Sequence, residues 1–318
     1  MSFLEFDCSN RTFEEIQIFA GFQDSNLEML NKCFKSVFMI RDQKIKVEVN
    51  DTLDTHKVEE VIDACFSIID TQHRLNSQDV NYICSLAFKN RLKDFKAHQL
   101  QAVCKTKTGK MIYPKTIGQA ILCDAMRHNE IVFATGVAGT GKTYLAVAYA
   151  VNMLKSERVE KIILTRPAVE AGESLGFLPG DMKEKVDPYL RPLYDALNEM
   201  LGLETVEKYV EKQVIEIAPL AFMRGRTLND AVVILDEAQN ATCAQMKMFL
   251  TRMGKNCKMV VTGDVTQIDL IKKKDSGLMQ ACTILDHIVG ISIIHLENSD
   301  VVRNPLVQKI IERYAKVE

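Results

Sequence analysis

From residue 116 onward, short apolar runs alternate with amphipathic stretches. The runs occupy 131–135, 161–165, 214–218, 231–235, 257–262 and 291–296 and are nearly continuous in Val and Ile. Unbroken apolar runs of this length predict strands covered on both faces, because a strand with one wet face alternates. Between them lie helical stretches, the clearest at 143–154. Strand and helix in alternation predict an α/β domain built on a doubly wound parallel sheet.

The first 115 residues follow a different rhythm. Residues 13–20 alternate in a strand-like way. Apolar positions 27, 29, 30, 33 and 34 suit a short helix, and 37–40 and 45–49 read as two strands joined by the polar turn Arg41-Asp42-Gln43-Lys44. Residues 58–70 carry apolar side chains at 58, 61, 62, 65, 66, 68 and 69, a helix with one buried face. A further helix over 79–93, capped by Ser77, leads into a basic hairpin turning at residues 105–110. The division that results is an N-terminal unit at 1–75, a connector of helix plus hairpin at 76–115, and a larger domain at 116–318.

Composition narrows the function classes. At 318 residues, with 47% apolar and 26% charged residues, the chain is long enough for about two cored domains. No apolar run reaches the ~18 residues of a membrane span, and the N-terminus lacks the basic and apolar regions of a signal peptide. Nine cysteines are scattered without a C-x-x-C pair, which argues against a disulfide framework and a zinc site. A cytoplasmic protein is expected. The net charge of −2 hides an asymmetry: residues 1–75 hold 8 Lys/Arg against 14 Asp/Glu, whereas Lys89 to Lys115 holds eight Lys/Arg against Asp94 alone. That strip suits a polyanion, although a solvated face would show the same charge.

The sharpest motif is Gly136-Val137-Ala138-Gly139-Thr140-Gly141-Lys142-Thr143. It completes G-x-x-x-x-G-K-[ST] between a predicted strand and a predicted helix, the context a phosphate loop needs. The glycines let backbone N–H groups wrap a phosphate, Lys142 should reach the β/γ-phosphates, and the Thr143 hydroxyl should ligate Mg²⁺. About a hundred residues on, the strand at 231–235 ends in Asp236-Glu237. Asp236 is placed for the Mg²⁺ shell and Glu237 to orient or deprotonate an attacking water, which favours hydrolysis over phosphoryl transfer to a small molecule. Arg166 and the segment from Thr262 to Gln267 follow two more strands and fall on the same sheet edge. ATP and Mg²⁺ are the expected cofactors. A nucleotide-switched assembly module with little turnover is the alternative.

These residues together resemble the PhoH-like ATPase family (YbeZ type). The resemblance spans about 113–316. It is carried by Pro114-Lys115-Thr116-Ile117-Gly118-Gln119, the phosphate loop, the stretches at 164–181, 187–197 and 218–228, Leu235-Asp236-Glu237-Ala238-Gln239-Asn240, 262–267 and Asp300-Val301-Val302-Arg303-Asn304-Pro305. It implies a RecA-like P-loop NTPase core after a small KH-like α/β domain, with Gln119 at the adenine, Gln267 near the γ-phosphate and Arg303 on the transition-state charge. It further implies links to RNA, a YbeY-type endoribonuclease partner and a homo-oligomer, a hexamer. In the N-terminal region, Gly21-Phe22-Gln23-Asp24-Ser25 lacks the GXXG loop with which KH domains clamp RNA.

Overall fold

The computed structural model describes residues 2–97, 101–167 and 182–302, together with Val307 and Arg313. The sequence motif at 168–181 and Arg303 lie outside the described residues. The chain divides into two compact units, Met1–Leu100 and Gln101–Glu318.

The first unit begins with strand β1 (Phe3–Asp7), which the apolar pattern did not single out. Helix α1 (Phe13–Ala20) replaces the strand expected there. The reason is local. Thr12 Oγ1 accepts from the Glu15 N–H at 3.2 Å while Glu15 Oε2 accepts from the Thr12 N–H at 2.8 Å, a capping box that outweighs the alternation of Ile16, Ile18 and Ala20. Helix α2 (Ser25–Phe34) buries Leu27, Leu30 and Phe34. Strands β2 (Phe38–Arg41) and β3 (Lys44–Glu48) form the expected hairpin, and β1 pairs with β3 to give an antiparallel sheet ordered β1-β3-β2. Helix α3 (Thr55–Gln72) follows its Asp54 cap. Helix α4 (Ser77–Phe88) is capped by Asn76 rather than Ser77, with Asp79 completing the box. It stops short of residue 93 because Asn90 takes φ 56°, and a separate helix α5 (Leu92–Ala97) follows.

The second unit opens with the hairpin of β4 (Cys104–Lys105) and β5 (Met111–Ile112), closed where the Lys110 N–H reaches Thr106 Oγ1 at 3.0 Å. Helix α6 (Ile117–His128) leads to β6 (Ile131–Gly136), α7 (Lys142–Lys155) and β7 (Lys161–Arg166). Next come α8 (Met182–Leu201), α9 (Leu203–Glu211), β8 (Ile215–Pro219) and β9 (Ala231–Leu235). Helix α10 (Cys243–Leu250), β10 (Lys258–Gly263), α11 (Gly277–Ile284) and β11 (Ile291–Leu296) complete the described elements.

All six expected runs form one parallel sheet, ordered β11-β6-β10-β9-β7-β8. Successive side chains of a strand sort to opposite faces. Val232 and Ile234 pack with Leu145, Leu193 and Met200 on one side, while Val233 and Leu235 pack with Met223, Phe249 and Leu278 on the other. Both sets are fully dry, hence the unbroken apolar runs. This is the RecA-like P-loop architecture, with β10 between the phosphate-loop strand β6 and the carboxylate strand β9. Among the described residues no helix is long and apolar enough to cross a membrane. All nine cysteines are free thiols.

Candidate functional site

Parallel registry brings the C-terminal ends of β6, β7, β9 and β10 to one edge: Gly263 pairs with Thr135, and Leu235 with Thr165. Residues at or soon after each of these strand ends line a cavity of about 570 Å³. In such a sheet ligands collect at this edge, so the fold positions the site before any side chain is considered.

The phosphate loop turns from β6 into α7. Gly136 takes φ 141°, and a Cβ there would run into the Leu296 carbonyl of the neighbouring strand. Inside the loop, Thr140 Oγ1 donates to the Val137 carbonyl at 2.9 Å. The Lys142 ammonium donates to the carbonyls of Gly136 (2.6 Å) and Val137 (2.9 Å). A lysine folded onto carbonyls keeps its charge solvated and lies one rotamer change from an incoming phosphate.

Asp236, 2% exposed, is the hub of the edge. Its Oδ1 accepts from the Thr143 and Thr262 hydroxyls, each at 2.6 Å. Its Oδ2 accepts from Arg166 Nε at 2.8 Å and also from Arg166 Nη2. Thr143 and Asp236, 93 residues apart in sequence, are therefore in direct contact, as a shared cation site requires. Hard oxygen donors of this kind, a hydroxyl and a carboxylate, fit Mg²⁺. Nearby, Asp264 Oδ2 is buried without a hydrogen-bond partner, a further oxygen with capacity for the ion's water shell.

Glu237 takes φ 53° and leaves its side chain 46% exposed at the cavity. Its Oε2 accepts from Gln239 Nε2 at 2.6 Å. Gln267 lines the same cavity and donates its N–H to the Asp264 carbonyl at 3.0 Å. Gln119 is 4% exposed and lies against the phosphate loop: Nε2 donates to the Thr140 carbonyl at 2.9 Å, and Oε1 accepts from the Lys115 N–H at 2.7 Å. Of the segment leading to Arg303, the Val302 N–H donates to the Gly139 carbonyl at 2.9 Å. Asp300 accepts from the Gly118 N–H at 3.1 Å.

Sequence reasoning missed one wall of the cavity. Pro192, Asp195, Ala196 and Glu199 of α8 line it, and Tyr144 donates to Glu199 Oε1 at 2.9 Å. Burial, then the Glu199 contact, pushes the Tyr144 phenol above its ordinary range. The helical spacing 192, 195, 196, 199 could have marked a common face, but only packing of α8 on α7 shows which way it looks.

A family model described as PhoH-like protein matches residues 111–315. A PhoH-like protein of Bacillus subtilis (strain 168) is 52% identical over 303 residues, covering 95% of this chain and 94% of that one. The chain belongs to the PhoH-like family. Protein PhoH of Escherichia coli (strain K12) is 46% identical over 193 residues, 60% of this chain and 54% of that one. Among solved structures, the Sulfolobus solfataricus SWI2/SNF2 ATPase core in complex with dsDNA superposes with a TM-score of 0.38 at 12% identity, over 63% of this chain and 47% of that one. The PhoH-like match covers the whole cavity described above, so this PhoH-like chain is a nucleotide-binding, ATPase-like protein.

Proposed function

We propose that this PhoH-like chain is an Mg²⁺-dependent ATPase serving RNA metabolism. The observation that carries the reading is the meeting of Thr143, Asp236 and Glu237 beside a complete phosphate loop in one cavity. The triphosphate would lie along the loop, facing its N–H groups and the N-terminus of α7. Lys142 would exchange the Gly136 and Val137 carbonyls for β/γ-phosphate oxygens. Thr143 and Asp236 would hold Mg²⁺, which when bound supplies charge neutralisation to those oxygens. Glu237 would orient the attacking water and take its proton, Gln267 would face the γ-phosphate, and Gln119 would read the adenine.

The RNA part of the proposal rests on the hairpin of β4 and β5, whose Lys105, Lys107 and Lys110 are exposed. Lys155, at the far end of α7 from the phosphate loop, donates to the Lys105 carbonyl at 2.7 Å. One helix of about 21 Å thus joins the nucleotide site to the hairpin. The N-terminal unit is read as KH-like in layout. Its α1–α2 turn, Gly21-Phe22-Gln23-Asp24, sets a carboxylate where a GXXG loop has its second glycine, which favours the hairpin as the RNA contact. A YbeY-type endoribonuclease partner, a cytoplasmic setting and a head-to-tail hexamer with Arg303 acting between subunits complete the proposal.

The test is the ATPase rate with and without Mg²⁺ against RNA and DNA oligomers, with Glu237→Gln and Lys142→Ala as controls. Mg²⁺-dependent turnover, stimulation by RNA, and a loss of at least about 10² in both variants are expected. Slow turnover indifferent to RNA would favour the nucleotide-switched module, and full activity in Lys142→Ala would overturn the site.

A further inference from the structure

Gln239 and Asn240 follow Glu237 in a single short turn, and both are buried, Gln239 to 1% exposure. Their side chains reach in two directions. Gln239 donates through Nε2 to Glu237 Oε2 at 2.6 Å and accepts through Oε1 from the Asp264 N–H at 3.0 Å. Asn240 makes a reciprocal pair with Asp269: Oδ1 accepts from the Asp269 N–H at 2.8 Å, and Nδ2 donates to Asp269 Oδ2 at 3.1 Å. The two ends of the loop Asp264–Asp269 are therefore pinned by two adjacent amides. Gln267 sits between those pins, on the cavity.

From this geometry we infer that Gln239 and Asn240 are positioning residues for ATP hydrolysis. They hold the Glu237 carboxylate and the Gln267 loop in one fixed relation, so that a shift at either is felt at the other. The inference rests on the ATPase reading above. An amide offers a donor and an acceptor on separate atoms, and Gln239 spends one on each side of the gap, which an ionised carboxylate, an acceptor only, could not do. Close packing leaves the amide no alternative place: a Cβ on Gly263 would meet Gln239 Oε1 at 2.9 Å. A carboxylate that is half exposed otherwise has rotamer freedom, and catalysis needs it held near one orientation.

The experiment compares wild type, Gln239→Ala, Gln239→Glu and Asn240→Ala in steady-state ATP hydrolysis and in amide hydrogen exchange of the peptide covering 263–270. Gln239→Ala and Asn240→Ala should speed exchange at Asp264 and Asp269 respectively. Both should lower kcat, by up to about a hundredfold for Gln239→Ala, with KM for ATP within about twofold of wild type. Gln239→Glu keeps the size and the acceptor for the Asp264 N–H but loses the donor to Glu237. It should keep slow exchange at Asp264 and still lose kcat, through the lost donor and the like charge now facing Glu237, whereas a residue that leaves Glu237 untouched would keep kcat. Should Gln239→Ala prove unfolded by circular dichroism, Gln239→Glu decides. Wild-type kcat in Gln239→Glu, or a rise in KM equal to any loss of rate, would overturn the assignment. A wild type without ATP turnover would instead overturn the ATPase reading, and this assignment with it.

Discussion

Asp236 is shared by two hydroxyls and a guanidinium, and it is nearly dry. A buried carboxylate left without a cation costs several kcal/mol, and in this structure the Arg166 guanidinium supplies that charge. Arg166→Ala is expected to lose about 3 kcal/mol of stability in nucleotide-free buffer. If Mg²⁺ binds at Asp236 as proposed, much of that deficit should disappear with Mg²⁺ and ATP at saturation, because the ion would supply the missing positive charge. Urea unfolding of both proteins under both conditions is the measurement, and an equal deficit in the two conditions would refute the substitution of one charge for the other. The residue types of this site were legible beforehand, since each motif needs particular chemistry at a fixed spacing. Arg166 was readable only as a strand-end arginine. Its partner Asp236 follows β9, 70 residues later, and no local pattern encodes a contact between neighbouring strand ends.

At the level of elements, the apolar pattern located the six strands of the parallel sheet: β6, β7, β9 and β10 are buried on both faces, while the edge strands β8 and β11 are apolar runs only partly covered. It failed at α1, where Ile16 and Ile18 mimic a strand while the Thr12–Glu15 box decides for helix. It passed over β1, whose residues Phe3, Leu4 and Phe6 are only partly covered and flank acids at Glu5 and Asp7. The basic hairpin was legible from its turn, and the structure adds its anchorage: Lys155 donates to the carbonyls of Lys105 and Met200, at 2.7 and 3.2 Å. Replacing Lys105, Lys107 and Lys110 by Gln should leave the fold and basal ATPase in place, because those side chains are exposed. RNA affinity should drop and the slope of log affinity against log salt should shrink by roughly 0.7 for each phosphate contact removed. Binding isotherms at four salt concentrations would show it, and an unchanged slope would leave the hairpin a solvated face.

On the scale of the whole molecule, the phosphate loop and the parallel sheet of the described residues make one core. If another subunit supplies a partner core, a head-to-tail contact that closes gives a ring. If Arg303 completes a neighbour's site, mixtures of Arg303→Ala and Lys142→Ala subunits, each inactive alone, should recover part of the ATPase rate. Some sites would then pair an intact loop with an intact arginine. Absence of recovery, once subunit exchange is demonstrated by mass spectrometry, would assign Arg303 to its own subunit.

The strand order carries one more consequence, for the time at which this protein is made. Strand β6, which bears the phosphate loop, is hydrogen-bonded to β10 and β11. Both leave the ribosome more than a hundred residues later, a delay on the order of ten seconds at typical elongation rates. Until then Ile131 to Gly136 has no neighbour in the sheet, and Gly136 has no Leu296 carbonyl to close against. The nascent chain must therefore carry an unpaired apolar strand over more than a hundred residues of translation, and its ability to hold nucleotide arrives late.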